Sequence, residues 1–217
     1  MTDIKSRRED ILNASAELFA GKGVAATSMR EVADLVGVQP GALYHYFPSK
    51  DAIVNELITT FLDRLQAEYE VAASPELDPQ ARLAKIVEIS LAAAQESPHS
   101  TQVFQNELAN LRDRPEYARA KDLADRVQQI WLDAITAGQS AGVFRADIPA
   151  KVFHRFIRDA VWLSIKWRRH DDPYLVSDLA RDCISVFLEG FLVVDAPGVD
   201  YGLVAARAGA SEARGPE

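Results

Sequence analysis

A single cysteine, Cys183, stands among 217 residues, so no disulfide can close within the chain. It lies in the apolar run Cys183-Ile184-Ser185-Val186-Phe187 and reads as a small buried hydrophobe without a functional role. No apolar run approaches the ~20 residues that a membrane helix requires, and the opening Met1-Thr2-Asp3-Ile4-Lys5 is too polar for a secretory signal. The expected address is the cytoplasm, with no membrane partner. Positive charge is also scarce: Lys and Arg number 24 against 32 Asp and Glu, for a net charge of −8, which excludes a uniformly basic polyanion binder. Phosphate-cradling glycine loops and nucleophile elbows are missing. His45, His99, His154 and His170 are scattered without Cys or carboxylate partners at ligand spacing, so neither enzyme chemistry, nor a metal site, nor a cofactor is expected.

What the chain does have is helical periodicity from end to end, with 48% hydrophobic residues and no segment that reads as a strand. The expected fold is all-α. Ile11, Leu12, Ser15, Leu18 and Phe19 recur at helical spacing, predicting a helix over 6–20 closed by Gly21 and Gly23. Ser28-Met29-Arg30-Glu31 is a capping box opening a short second helix that stops at Gly37. Pro40 suits the first turn of a third short helix, which ends before Phe47-Pro48. Ser49 then caps a long fourth helix with Ile53, Leu57, Ile58, Phe61, Leu62 and Leu65 on one face.

Two short helices joined by a glycine turn form the arrangement that seats a recognition helix in the DNA major groove. Although the chain is acidic overall, 36–50 contains no acid, and an acid-free surface is what must approach phosphates. Thr27-Ser28 with Val32-Ala33, followed by Gly37-Val38-Gln39-Pro40-Gly41-Ala42-Leu43-Tyr44-His45-Tyr46-Phe47-Pro48-Ser49-Lys50, resembles the DNA-binding signature of the TetR family over roughly 8–57. The resemblance implies an N-terminal helix-turn-helix domain, placed at 1–52, and a ligand-binding and dimerisation domain, placed at 53–195, in about nine helices. Residues 196–217 carry too few large apolar side chains to bury and are expected to be a disordered tail.

Residue type and this resemblance together set the expected roles. Thr27, Ser28, Tyr44, His45 and Lys50 offer donors for phosphate oxygens, which position a protein without reading sequence. Gln39 suits a base edge, and Pro40, Gly41 and Ala42 let the backbone come close. Arg30 is placed to reach a base, and Arg7 and Arg8 to follow the backbone or minor groove. Leu43, Phe47 and Tyr46 read as core of the small domain instead. A helical adaptor that binds only protein is the rival class, and it has no reason to carry the acid-free box.

Beyond the fourth helix, Asp78-Pro79 predicts a helix to Glu96, Pro98 interrupts, and a short helix follows over 101–111. Pro115 opens a long helix ended by Gly142, Asp147-Ile148-Pro149 opens the next, His170-Asp171-Asp172-Pro173 breaks it, and the last helix covers 177–194. In TetR-like regulators the last two helices pair with their twins, so a homodimer reading a palindromic operator in double-stranded DNA is expected.

On the eighth helix, Arg155, Arg158 or Asp159, Trp162, Lys166 and Arg169 share one face, opposite a stripe of Phe153, Phe156, Ile157, Ala160 and Val161. That face is either a solvated ion-paired surface or the cationic mouth of a pocket for an amphipathic anion. The stretches Val152 to Trp167, Phe104-Gln105-Asn106-Glu107 and Trp131-Leu132-Asp133 resemble repressors of actinobacterial steroid catabolism, which implies a CoA thioester as inducer. On this resemblance Phe104, Trp131, Arg158, Trp162 and Lys166 are the candidate ligand residues. A hydrophobic ligand without CoA, as for an efflux or other catabolic regulator, remains the alternative.

Overall fold

The computed structural model describes residues 2–164, apart from 73, 75 and 113, together with 174–189. Among these residues there are nine α-helices and no strand: α1 (Thr2–Lys22), α2 (Met29–Leu35), α3 (Pro40–Tyr46), α4 (Lys50–Ala72), α5 (Pro79–Glu96), α6 (Pro98–Glu107), α7 (Ala118–Ser140), α8 (Ala150–Leu163) and α9 (Val176–Glu189). None of the described helices is long and apolar enough to cross a membrane.

Local chemistry accounts for most of the boundaries. Gly23 alone stops α1: at φ +86° it takes the left-handed conformation that ends a helix, and its N–H reaches the Phe19 carbonyl at 2.9 Å. The expected end at Ala20 was therefore two residues short, because Gly21 stays helical. Asp78 caps α5 through its Oδ1, which accepts from the N–H groups of Gln80 and Ala81 at 3.0 Å. The helix expected over 101–111 instead starts at Pro98 and ends at Glu107, with Leu111 in a separate 3-10 turn, Asn110–Arg112. The helix expected from Pro115 opens with its own 3-10 turn, Pro115–Tyr117, before α7 begins. Expected features at 165–173, including the His170 break, and at 190–217, including the last turn of α9 and the tail, lie outside the described residues.

Helix α1 packs on α2 and α6, α2 on α3, and α4 on α1, α5, α6 and α7; α5 is covered in turn by α8 and α9. α4 is the common spine. Its buried face holds Ile53, Val54, Leu57, Ile58, Phe61, Leu62, Leu65 and Tyr69. Full burial of such a side chain stabilises by about 1.5–3 kcal/mol, whereas the exposed Arg64–Glu68 pair on the same helix contributes about 0.3–0.5 kcal/mol. Apolar burial therefore decides where α4 lies.

The faces of α8 differ from the expected pattern. His154, Ile157, Val161 and Trp162 point inward, at steps that keep them on one side of a helix with 3.6 residues per turn. Phe156 is 63% exposed, so it does not belong to the core stripe, and Trp162, only 3% exposed, does not belong to a wet cationic face.

Candidate functional site

The helix-turn-helix is built from short-range bonds. Ser28 Oγ accepts from the Glu31 N–H at 3.2 Å, and Glu31 Oε2 accepts from the Ser28 N–H at 2.8 Å, completing the capping box of α2. A hydrogen bond from Lys22, with those from Ser28, holds the Glu31 carboxyl down at about 2. The turn passes through Gly37 at φ +68°, and Arg7 Nη2 donates to the Val36 carbonyl at 3.0 Å. Pro40 then occupies the first turn of α3, where a missing N–H costs nothing.

On α3, Leu43 and the following Phe47 are fully buried and Tyr46 is half-buried, whereas Gln39, Gly41, Tyr44 and His45 are exposed. Gly41, Tyr44 and His45 lie three and four residues apart and share a face. Pro40 and Ala42 are half-buried beside them. A Cβ at Gly41 would meet nothing within 4 Å, leaving room for a close approach. Ser28 and Arg30 are exposed on α2, and Arg30 lies 3.9 Å from Asp34.

Besides Arg7, three further expected DNA contacts are engaged inside the domain instead. Thr27 is 2% exposed and its hydroxyl donates to the Gly23 carbonyl at 2.9 Å. Lys50 Nζ donates to the carbonyls of Val24 and Thr27, the latter at 2.8 Å. Those carbonyls follow the end of α1 without helical partners, and an ammonium with three donors satisfies them together. Arg8 donates to Glu56 Oε1 at 2.7 Å and to the Tyr46 carbonyl at 2.6 Å, with its guanidinium 4.1 Å from the Phe47 ring centroid. These three side chains brace the helix-turn-helix rather than presenting free donors.

In the larger unit, a cavity of about 60 Å³ lies between α6, α7 and α8. Phe104, Trp131, Arg158 and Trp162, four of the five expected ligand residues, line it together; Lys166 lies outside the described residues. Phe61 of α4 packs against two of these walls, with ring centroids 5.9 Å from Phe104 and 6.0 Å from Trp162. The Trp131 indole N–H donates to the Tyr69 hydroxyl at 3.2 Å.

Apart from Arg158, the polar lining of the cavity lies outside the expected ligand residues. His154 sits 5.7 Å from Trp131; burial, and then the charge of Arg158, push its imidazole down to about 4, so it is neutral near pH 7. Gln105 lines the cavity with a buried amide nitrogen that has no partner. Lys121 and Asp125 pair at 2.6 Å at the edge, and Arg158 pairs with Asp159 at 2.6 Å. Two helical steps of four, from Trp162 through Arg158 to His154, were the signal for His154. Nothing local marked Lys121 or Asp125. One buried water needs about 10–15 Å³ of such space, so the cavity as it stands takes a few waters, and a larger guest requires α6, α7 and α8 to part.

Comparison with known proteins gives a consistent relationship. Residues 11–57 match the family model "Bacterial regulatory proteins, tetR family", and residues 76–191 match "Tetracyclin repressor-like, C-terminal domain". The chain is 33% identical over 184 residues to the HTH-type transcriptional repressor KstR2 of Rhodococcus jostii, covering 85% of this chain and 90% of that one. It superposes with a TM-score of 0.78 on the ketosteroid transcriptional regulator KstR2 of Mycobacterium tuberculosis, at 32% identity, covering 85% and 94% of the two chains. AibR, solved in complex with isovaleryl coenzyme A and operator DNA, superposes at 0.75 over 85% and 100% of the two chains, but at 18% identity this likeness speaks for the fold alone.

Proposed function

This chain belongs to the TetR family of bacterial regulatory proteins, and on that premise we propose that it is a cytoplasmic, nucleoid-associated repressor that binds a palindromic operator as a homodimer and releases it when a small molecule enters the cavity. We place DNA recognition in 1–52 and sensing with dimerisation in 53–195. Gln39, Pro40, Gly41, Ala42, Tyr44 and His45 present the recognition surface, with Ser28 and Arg30 beside it. On α8, Val152, Phe156 and Leu163 are exposed at spacings that align them on one face, and a second copy of this chain is the partner that covers it. A dimer holds two recognition helices about one DNA turn apart, which suits a palindrome.

The observation that carries the sensory reading is the convergence of Phe104, Trp131, Trp162 and Arg158, from three helices, on one cavity. Aromatic walls suit an apolar body, and Arg158 and Lys121 suit anionic oxygens. A CoA thioester has both parts, and the kinship with repressors named for ketosteroid regulation points to one from steroid or fatty-acid catabolism. The small volume favours a second reading, a compact hydrophobic ligand without CoA. A ligand that favours the non-binding arrangement by ~1–3 kcal/mol weakens operator binding about 5- to 150-fold.

The test is a fluorescence-anisotropy titration of the protein against DNA from upstream of its own gene, with and without a panel of acyl-CoA thioesters. Salt-sensitive binding released by one thioester supports the full reading. Binding that no thioester disturbs removes the CoA class, and absence of binding to any palindrome overturns the regulator.

A further inference from the structure

The chain from Pro98 to Tyr117 touches both units. Near one end, Gln102 Nε2 donates to the Ala20 carbonyl at the end of α1, at 3.0 Å. Its middle supplies Phe104, Leu108 and Leu111 to the cavity wall. At its other end, Arg114 Nη2 lies 2.9 Å from Asp51 Oδ2, and the Tyr117 hydroxyl donates to Asp51 Oδ1 at 2.8 Å. The Arg114 guanidinium also stacks 4.8 Å from the Tyr117 ring centroid and pairs with Glu116. Both carboxylate oxygens of Asp51 are thus held from the cavity side.

Asp51 stands in the first turn of α4, directly after Lys50, whose ammonium gathers the carbonyls leading into α2. A displacement of Asp51 is therefore felt at the helix-turn-helix. At the far end of α4, Tyr69 is fully buried and held by Trp131. Asp51 and Tyr69 are about 27 Å apart along a helix that rises 1.5 Å per residue. Between them Ile53, Val54, Leu57 and Ile58 bury the first turns of α4 in the same core as Val32, Leu43 and Phe47, so a shift of this end of α4 carries the helix-turn-helix with it. Burial works to raise the Asp51 carboxyl, and the bonds from Arg114 and Tyr117 outweigh it, leaving the group below the usual carboxylate range and ionised near pH 7.

We propose that Arg114 and Tyr117 are positioning residues that clasp Asp51 and thereby couple the cavity to the DNA-binding face. The clasp begins at Arg114, seven residues beyond Glu107, and ends at Tyr117, just before α7, so any guest that moves Leu108 and Leu111 pulls directly on it. This inference rests on the reading of the chain as a DNA-binding regulator with a sensory cavity.

Coupling between two sites is reciprocal, so DNA is the effector and the cavity tryptophans are the reporters. Full-length protein with Trp167→Phe leaves emission to Trp131 and Trp162, both buried in the cavity wall. The measurements are anisotropy of labelled DNA from upstream of the gene, tryptophan emission on DNA addition, and a thermal melt. DNA binding is expected to shift emission in the Trp167→Phe protein; the shift is lost in Arg114→Gln, which still binds DNA, and returns in Arg114→Lys. If Arg114→Gln fails to fold, Tyr117→Phe removes one of the bonds to Asp51 and is expected to reduce the shift. An unchanged shift in folded Arg114→Gln, or DNA binding without any shift in the parent protein, overturns the clasp. Absence of DNA binding in the parent, seen by anisotropy alone, overturns the regulator reading and the clasp with it.

Discussion

Trp131 and Tyr69, both fully buried, share a hydrogen bond: the indole N–H of α7 donates to the phenol of α4, which in turn bonds to Ser90 Oγ of α5. The two rings also meet edge to face, 6.3 Å between centroids. Burial first, against the bonds from Ser90 and Trp131, pushes the phenol far above its ordinary pKa, so it stays neutral. One cavity wall is thereby fixed to the spine that carries the helix-turn-helix.

Removing that phenol oxygen tests the anchor. Tyr69→Phe leaves the Trp131 N–H buried and unpaired, a loss of about 1–3 kcal/mol. For a chain of this size each kcal/mol lowers Tm by about 2–4 °C. A melting temperature equal to wild type, followed by differential scanning calorimetry, contradicts this account.

Arg8→Ala and Tyr44→Ala separate bracing from recognition. Arg8→Ala removes a partly exposed ion pair, a carbonyl bond and a ring stack, and is expected to destabilise by about 1 kcal/mol. Tyr44 is 52% exposed, so Tyr44→Ala changes stability by less than about 0.5 kcal/mol while abolishing operator binding. Anisotropy and melting on the same samples check both, and the reverse pattern shows the assignment to be wrong.

Phe156→Asp addresses the exposed face of α8. Burying a Phe is worth about 1.5–3 kcal/mol, and a two-fold interface loses it twice, so the dimer weakens by about 3–6 kcal/mol. Sedimentation equilibrium at micromolar protein should report a monomer. A persisting dimer places the interface on another face.

His154 sets an acid limit on stability. Its folded pKa of about 4 lies below the ordinary ~6.5, so the unfolded chain binds the extra proton first as pH falls. Stability is complete above pH ~6.5 and declines between that value and about 4, by up to about 1.4 kcal/mol per unit. The charged groups that face it are Arg158, Asp159 and Arg155. Urea unfolding as a function of pH should show this slope in wild type and a flatter one in His154→Gln; equal slopes count against a buried neutral imidazole.

The helix boundaries that matter most were legible in the residues alone. Ser28 with Glu31, Gly37, Pro40, Asp78 with Pro79, and Gly142 act within a few residues of themselves, through cap bonds, fixed φ or a left-handed turn, so local sequence suffices. That is why the helix-turn-helix and the all-α fold could be read directly. Tertiary structure alone decided which side chains are free to act. Lys50 finds its carbonyls 23 and 26 residues away and Arg8 its carboxylate 48 residues away, distances over which residue type says nothing about partners. On α8 the amphipathic pattern permits more than one inward face, because Phe156 and Trp162 are both large and apolar. Packing against α5 and α7, with Phe61 of α4 meeting Trp162 and Trp131 of α7 meeting His154, turns His154, Ile157, Val161 and Trp162 inward.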